Sequence, residues 1–486
     1  MDFIKGIIYN KLPNLINSRQ INDNLLNNNV IFIGNIYNFK NIMNDLHEFY
    51  FKTKSEEEII YYSYKKWGIK CFNKFNGNWS IIIYDDDNNK IIGSRDRFGT
   101  KSLYYIINNN YFAFSSEIKH LLTIKDFNNK LNINAANSYL LAAQDYFEEE
   151  TFFENIYELK PSHYFIYDKI SNDLKKEKYY DLNYNNEYET FDNKKSIEYI
   201  HETKNKILQA VDIRLCDNIN IGSCLSGGLD SSSIVCSINK LLKNRNNEYN
   251  SKLNVITSCY NDSNIDETKW AKYVTENTPV IWHKVFPKEN ELLDDLFDLI
   301  YTQDIPFCST SVYSQYRIMK AAKEIGLKTM FDGQGGDELF TGYTPFYSVL
   351  YSEIKRNKDF SLLKNEQKNF FNTPFLNKNI NNFINYNNFK NFIKRSIPLN
   401  IKNILKKFIS NSLNKYIFIN GESYKNYFYN TLNQMLYTMM IHTSLPQLLR
   451  YADRNATRFS ISTKMPFADD IDLIEYIFKI PGVYKI

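Results

Sequence analysis

Apolar residues are spaced in two different ways along this chain, and the change falls near residue 190. Before it, short runs rich in β-branched and aromatic residues are broken by Asn, Asp and Gly, at 30–33, 79–84, 90–93, 103–107 and 111–114. Runs of this kind read as strands, and the polar stretches 85–89 and 108–110 between them read as hairpin turns. Residues 184–195 are polar and aromatic without a period and read as a linker. Beyond them the pattern alternates. Helical spacing at 196–211 precedes a short apolar strand at 219–225, a glycine turn and a helix at 231–242. A strand at 253–260, a helix at 266–275, a strand at 280–285, a helix at 314–325 and a strand at 328–331 follow. Strand and helix in alternation predict a parallel sheet covered on both faces. Residues 360–415 are rich in Asn, Phe and Lys with helical spacing but poor caps, and read as a helical insertion.

Length and charge narrow this picture without changing it. At 486 residues the chain exceeds one ordinary core, so two domains are expected. Apolar residues make up 43% and charged residues 23%, as in globular proteins. The net charge of +4 gives no reason to expect nucleic acid or an anionic membrane as a partner. The run Lys175-Lys176-Glu177-Lys178 reads as a solvated surface. Six cysteines form no C-x-x-C pair and read as buried reduced thiols, and the six histidines suggest no zinc set. The N-terminus lacks the apolar core of a signal peptide, and no apolar run spans a bilayer, so a cytoplasmic location is expected.

Two glycine-rich loops carry the candidate chemistry. Ser226-Gly227-Gly228-Leu229-Asp230-Ser231-Ser232 joins a strand to a helix. Backbone amides at a helix N-terminus, with partial positive charge, suit a pyrophosphate, and the serine hydroxyls can donate to it. Asp230 would repel bare phosphate, so its presence implies a divalent cation between them. The lysine of a Walker A loop is missing. The second loop, Asp332-Gly333-Gln334-Gly335-Gly336-Asp337-Glu338, also follows a strand and opens a helix. Asp337 is the expected partner of Asp230 on Mg²⁺. Asp266-Glu267-Thr268 reads as a helix cap. Arg450, Asp453 and Arg454 share helical spacing, which suits a structural ion-pair cluster or a substrate contact equally.

Taken in this order, the motifs resemble those of the asparagine synthetase family. In the first part the resemblance runs through Gly34-Asn35-Ile36-Tyr37-Asn38, the stretch from Ser94 to Tyr105 with Arg95-Asp96-Arg97-Phe98-Gly99, and Phe114-Ser115-Ser116-Glu117. It implies an α/β protein of two domains. Residues 1–190 would form an antiparallel αββα domain of the Ntn glutaminase type. Residues 191–486 would form a parallel-sheet domain of the ATP-pyrophosphatase type, with a variable helical insertion near 350–430. It further implies ATP and Mg²⁺ as cofactors. Leu225 and Ser258 would lie against adenine and ribose, and Asp332 and Gly333 against the nucleotide. Gln334, Asp337 and Glu338 are the candidate catalytic residues.

The departures from the family pattern are specific. A working glutaminase of this family exposes Cys at position 2, whereas this chain has Asp2. Ile33 has no side-chain donor for an oxyanion hole, and Asn35 has no charge for the glutamine ammonium. The first domain is therefore expected not to hydrolyse glutamine. Gln334 replaces the Glu implicated in guiding ammonia, which points to another amine acceptor, as in β-lactam synthetases and lasso-peptide cyclases. Lys485 matches an earlier family lysine, and the sequence as given ends before the position of the later one that assists acyl transfer, which leaves a fragment, a lysine from elsewhere or an impaired last step as alternatives. The expected function is adenylation of a small-molecule or peptide carboxylate followed by transfer to an amine. Ammonia-dependent asparagine synthesis, macrolactam formation and an ATP-binding partner protein without catalysis stand as alternatives.

Overall fold

The computed structural model describes residues 4–9, 29–125, 127–215, 220–245, 253–262, 266–372 and 429–485. Its strands are β1 (Lys5–Tyr9), β2 (Val30–Ile36), β3 (Gly77–Asp85), β4 (Lys90–Arg95), β5 (Tyr104–Ile107), β6 (Tyr111–Ser115), β7 (Tyr157–Glu158), β8 (His163–Asp168), β9 (Leu174–Lys178), β10 (Ile221–Cys224), β11 (Leu253–Ser258), β12 (Val280–Val285), β13 (Thr329–Phe331) and β14 (Ser462–Lys464). The first nine form two antiparallel sheets, ordered β1-β6-β5-β7 and β2-β3-β4-β8-β9. Alternation along β3 explains how they stack. Ile82 and Tyr84 join Tyr105, Phe112 and Phe114 in an apolar layer between the sheets. Trp79, Ile81 and Ile83 face the other way, onto Ile59 and Ile60 of the helix Glu56–Trp67. Ile106 and Ala113 on the outer face of the first sheet meet Ile118 and Leu121 of a further helix. Helix, sheet, sheet, helix is the Ntn-type layering that the family resemblance implies.

The predicted turns form by local chemistry. Asn108 Oδ1 accepts the amides of Asn110 and Tyr111 at 2.8 and 3.0 Å and so closes the β5–β6 hairpin. The lysine run at 175–178 lies on β9, an edge strand, exposed to water. Charged side chains there blunt an open sheet edge.

The other five strands form a parallel sheet ordered β12-β11-β10-β13-β14. Its two faces are covered because successive residues point opposite ways. Leu253 and Val255 of β11 pack against Ile234, Val235 and Ile238 of the helix Leu229–Asn244. Ile256 packs with Met319 and Ala322 of the helix Ser311–Glu324. The helix predicted at 196–211 runs Asn193–Asp212, capped by Asp192 onto the Lys195 amide. Of the expected insertion, Pro345–Arg356 and Phe360–Asn372 are helical, and residues 373–428 lie outside the described residues. Among the described residues no helix is long and apolar enough to cross a membrane. The thiols depart from the expected burial. Cys71 and Cys259 are buried, but Cys236 and Cys308 are exposed, and Cys216 lies outside the described residues.

Charged side chains join the antiparallel and parallel parts alongside apolar contacts such as Phe98 in the core of the parallel part. Arg450, Asp453 and Arg454 share one helix, Ser444–Arg458, but do not pair with each other. Arg450 bonds Asp145, Asp453 accepts from Lys101 at 2.5 Å, and Arg454 donates to the Ser116 carbonyl at 2.6 Å. These bonds form a seam between the two parts, as the ion-pair reading of this cluster expects. Nearby, Arg214 donates to both Asp469 and Asp470, all three side chains being almost wholly buried. Removing one carboxylate leaves buried positive charge without its partner. Asp469→Ala is expected to destabilise the fold by ~3 kcal/mol, to be measured as a lowered denaturation midpoint.

Candidate active site

Order reverses at one place in the parallel sheet. From β10 the chain steps outward through β11 to β12, then returns to lay β13 on the other side of β10. Loops leaving the carboxyl ends of strands on either side of such a reversal form a crevice, which is where open α/β sheets bind ligands. Both glycine loops lie there, one after β10 and one after β13.

Leu225 continues the sheet. Its amide donates to the Ile256 carbonyl at 3.0 Å and its carbonyl accepts from Thr257 Oγ1 at 2.6 Å. The chain then turns through Gly227, with φ of +98°, and Gly228 caps the following helix without any side-chain bond to its first amides. Those amides keep their donors available. Ser226 and Ser231 are engaged in shaping the loop. Ser226 Oγ accepts the Gly228 amide at 3.1 Å, and Ser231 Oγ accepts the Ser226 amide at 3.1 Å. The two hydroxyls also bond each other at 3.0 Å. Ser232 differs, since its Oγ is buried and has no hydrogen-bond partner among the described residues. An unmet buried hydroxyl costs about 1–3 kcal/mol, which a phosphate oxygen would offset.

The second loop meets the first at Gly336. A Cβ there would lie 2.5 Å from both carboxylate oxygens of Asp230, so glycine is what lets the two loops close on each other. Gly333 lies against Asp230 from the same side. Burial raises the Asp230 carboxyl from its ordinary 3.8 to about 7, and the nearby charges of Asp337 and Glu338 add to the rise. Burial also raises Asp337 and Glu338. Glu338 is almost wholly buried and accepts from Ser444 Oγ at 2.7 Å and the Tyr343 hydroxyl at 3.2 Å. It is thereby anchored at the base of the crevice, while Asp230 and Asp337 remain half-exposed. Among the described residues no three acidic, Cys or His side chains form a ready cation cage. Two carboxylates beside a glycine turn and a helix N-terminus fit Mg²⁺, which takes one or two carboxylates and completes its shell from other oxygens and water.

The remaining predicted residues surround this crevice. Asp332 is buried and accepts from Gln315 at 2.8 Å, and Gln334 is half-buried on the loop. Ser258 ends β11 and donates to the Tyr260 hydroxyl at 3.1 Å. Asp266 accepts from the Tyr260 amide and Thr268 Oγ1 and so braces a loop, while Glu267 occupies the cap position without a capping bond. Lys485 Nζ is buried against the Phe478 ring, and burial pushes its amine down to about 7. Gln315, Tyr343 and Ser444 escaped the sequence reading, because Gln315 and Ser444 come from helices whose periodic pattern marks packing and Tyr343 from a loop that carries no motif.

A parallel sheet with two glycine loops at its reversal point defines an α/β protein of the ATP-pyrophosphatase type. The chain belongs to the asparagine synthase family, whose model, "Asparagine synthase", matches residues 202–486. A second, "Glutamine amidotransferase domain", matches residues 20–180. A putative glutamine-hydrolysing asparagine synthetase 2 of Methanocaldococcus jannaschii is 31% identical over 65% of this chain and 58% of its own length. The amidase chry2 of Gibberella zeae is 27% identical over 66% of this chain and 48% of its own length. The glutamine-hydrolysing asparagine synthetase 3 of Bacillus subtilis is 22% identical over 94% of this chain and 70% of its own length. The chain spans about half the length of the first of these curated relatives.

The raised Asp230 carboxyl has a sign in stability. The folded state holds this proton up to about pH 7 while the unfolded state releases it near pH 3.8, so the group lowers stability progressively across that window. Asp230→Asn is expected to melt like the wild type at pH 4 and above it at pH 8, in the absence of Mg²⁺. Equal melting temperatures at pH 8 would contradict the charge crowding.

Proposed function

We propose that this chain is an ATP- and Mg²⁺-dependent ligase that activates a carboxylate as an acyl-adenylate and passes it to an amine. The observation that carries this reading is the meeting of Asp230 and Asp337 beside a helix N-terminus with uncapped amides. In this reading residues 191–486 form the nucleotide domain. Leu225 and Ser258 border the adenine and ribose. The amide of Gly227, the uncapped first-turn amides after Gly228 and the hydroxyl of Ser232 bind the pyrophosphate. The Gly228 amide is engaged by Ser226 and joins them only if that bond opens. Ser226 and Ser231 shape the turn, and Asp332 and Gly333 face the nucleotide. Asp230 and Asp337 hold Mg²⁺, which when bound supplies positive charge against the leaving pyrophosphate.

The reaction class follows from which bond this cradle would favour breaking. A substrate carboxylate oxygen attacks the α-phosphorus, and the bond to the bridging oxygen breaks with its electron pair leaving on pyrophosphate. An amine nitrogen then forms a bond to the acyl carbon, loses a proton, and AMP leaves with the carbon–oxygen electron pair. Holding both reactants in the crevice in reacting geometry contributes to the acceleration. Glu338 positions the carboxylate pair from below through Ser444 and Tyr343, and Gln334 lies where the second loop would meet the acceptor. Both a small-molecule and a peptide carboxylate satisfy this scheme.

Residues 1–190 form a glutaminase-like domain that does not hydrolyse glutamine. Asp2 lies outside the described residues. Elsewhere, Asn35 is bonded to Lys464 and Asn78. The Asp96 carboxylate accepts the amides of Trp79, Phe98, Thr100 and Lys101. Neither side chain is free to hold an amino acid.

Two measurements test these proposals. With a carboxylate substrate, ATP should yield pyrophosphate and AMP, and Asp230→Asn should lower that rate by about 10²–10³-fold. Release of ADP and phosphate instead would refute adenylation. Incubation with glutamine should release no glutamate, with or without ATP.

A further inference from the structure

Asn35, Tyr37 and Asn78 have no place in the proposed chemistry, yet they form one polar row. Asn35 and Tyr37 are two residues apart at the end of β2, and Asn78 is paired directly opposite Asn35 on β3. This row meets residues 464–469 of the parallel part. Lys464 Nζ donates to Asn35 Oδ1 at 2.5 Å and lies 5.0 Å from the centre of the Tyr37 ring. Asp469 Oδ2 accepts from Asn78 Nδ2 at 2.5 Å and from the Tyr37 hydroxyl at 3.3 Å. Its other oxygen accepts from Arg214, whose guanidinium stacks 4.1 Å from the Tyr37 ring centre. Tyr37 and Asn78 also bond each other at 3.2 Å.

What lies between Lys464 and Asp469 is the floor of the second glycine loop. The Asp332 amide donates to the Lys464 carbonyl at 3.0 Å. Gly335, with φ of +95°, approaches so closely that a Cβ would lie 2.8 Å from the Phe467 carbonyl oxygen. Met465, Phe467 and Ala468 are buried in the core of the parallel part, so the turn has little freedom to move independently.

We propose that Asn35, Tyr37 and Asn78 are positioning residues, which hold Lys464 and Asp469 at the two ends of the 465–468 turn and thereby set the loop at 333–337. The antiparallel part then contributes to nucleotide binding without touching the nucleotide. That consequence rests on the reading of the two loops as a nucleotide site. The tether itself does not.

Hydrogen exchange on the full chain reads the tether, and calorimetric titration with Mg·ATP reads its consequence. In Asn78→Ala, amides of residues 332–337 should exchange about tenfold faster, with β8 and β9 unchanged. Mg·ATP should bind about tenfold more weakly, as expected for loss of a hydrogen bond to a charged group. Tyr37→Phe removes one oxygen and keeps the ring on Arg214. It should show the same changes, smaller, and serves if Asn78→Ala does not fold. Ile92→Ala, in the antiparallel core away from the row, should lower the melting temperature but leave both readouts unmoved. Unchanged exchange at 332–337 in Tyr37→Phe and Asn78→Ala overturns the proposal, as does an equal rise in Ile92→Ala. A wild type that does not bind Mg·ATP would remove the nucleotide reading, while exchange would still decide the tether.

Discussion

A carboxylate taken out of water must be met on every side, and Asp469 shows how much structure that requirement organises. One oxygen accepts from Arg214, and the other from Asn78 and Tyr37. Three segments distant in sequence must therefore meet at one point. Arg214 belongs to the turn that leads towards the central strand of the parallel sheet, and Asn78 and Tyr37 belong to the antiparallel part. Burial makes the arrangement stringent, because the desolvation of each charge is offset only while all partners are present. The result is a seam held by directional bonds, which fixes orientation as well as proximity.

The crevice obeys the opposite rule. Asp230, Asp337 and Glu338 gather with no protein cation among the causes of their raised carboxyls, and their mutual repulsion is left standing. Elsewhere in the same chain buried carboxylates are matched, as Asp145 is by Arg450 and Glu158 by Arg95. The contrast separates matched structural charges from unmatched ones. Ser232 repeats the pattern in a neutral group, since its buried hydroxyl is unmet beside a turn whose other serines are satisfied. Local instability concentrated at one end of a sheet is characteristic of functional sites.

Much of the fold and site was legible in order along the chain. Strands β2 to β6 appear as β-branched and aromatic runs, and both glycine loops are visible as breaks between strand and helix. These features are local. A strand's alternation and a glycine's lack of Cβ act over a few residues, so they survive without knowledge of what packs against them. Other relations were not legible. Ser226 and Ser231 read as phosphate donors, and only the structure shows that their hydroxyls also bond each other. Arg450, Asp453 and Arg454 share a helix face, and spacing could not reveal that each reaches a different partner.

By itself, then, the sequence determined the succession of elements and the two loops that carry the candidate chemistry, because each depends on short-range backbone preference, and its motifs carried the resemblance to the family. Tertiary structure alone decided which side chains are neighbours. Gly336 opposite Asp230, Asn78 opposite Asp469 and Lys464 against Asn35 are separated by 106, 391 and 429 residues. Pairings at such distances follow from how sheets register and cores close, and no local pattern encodes them.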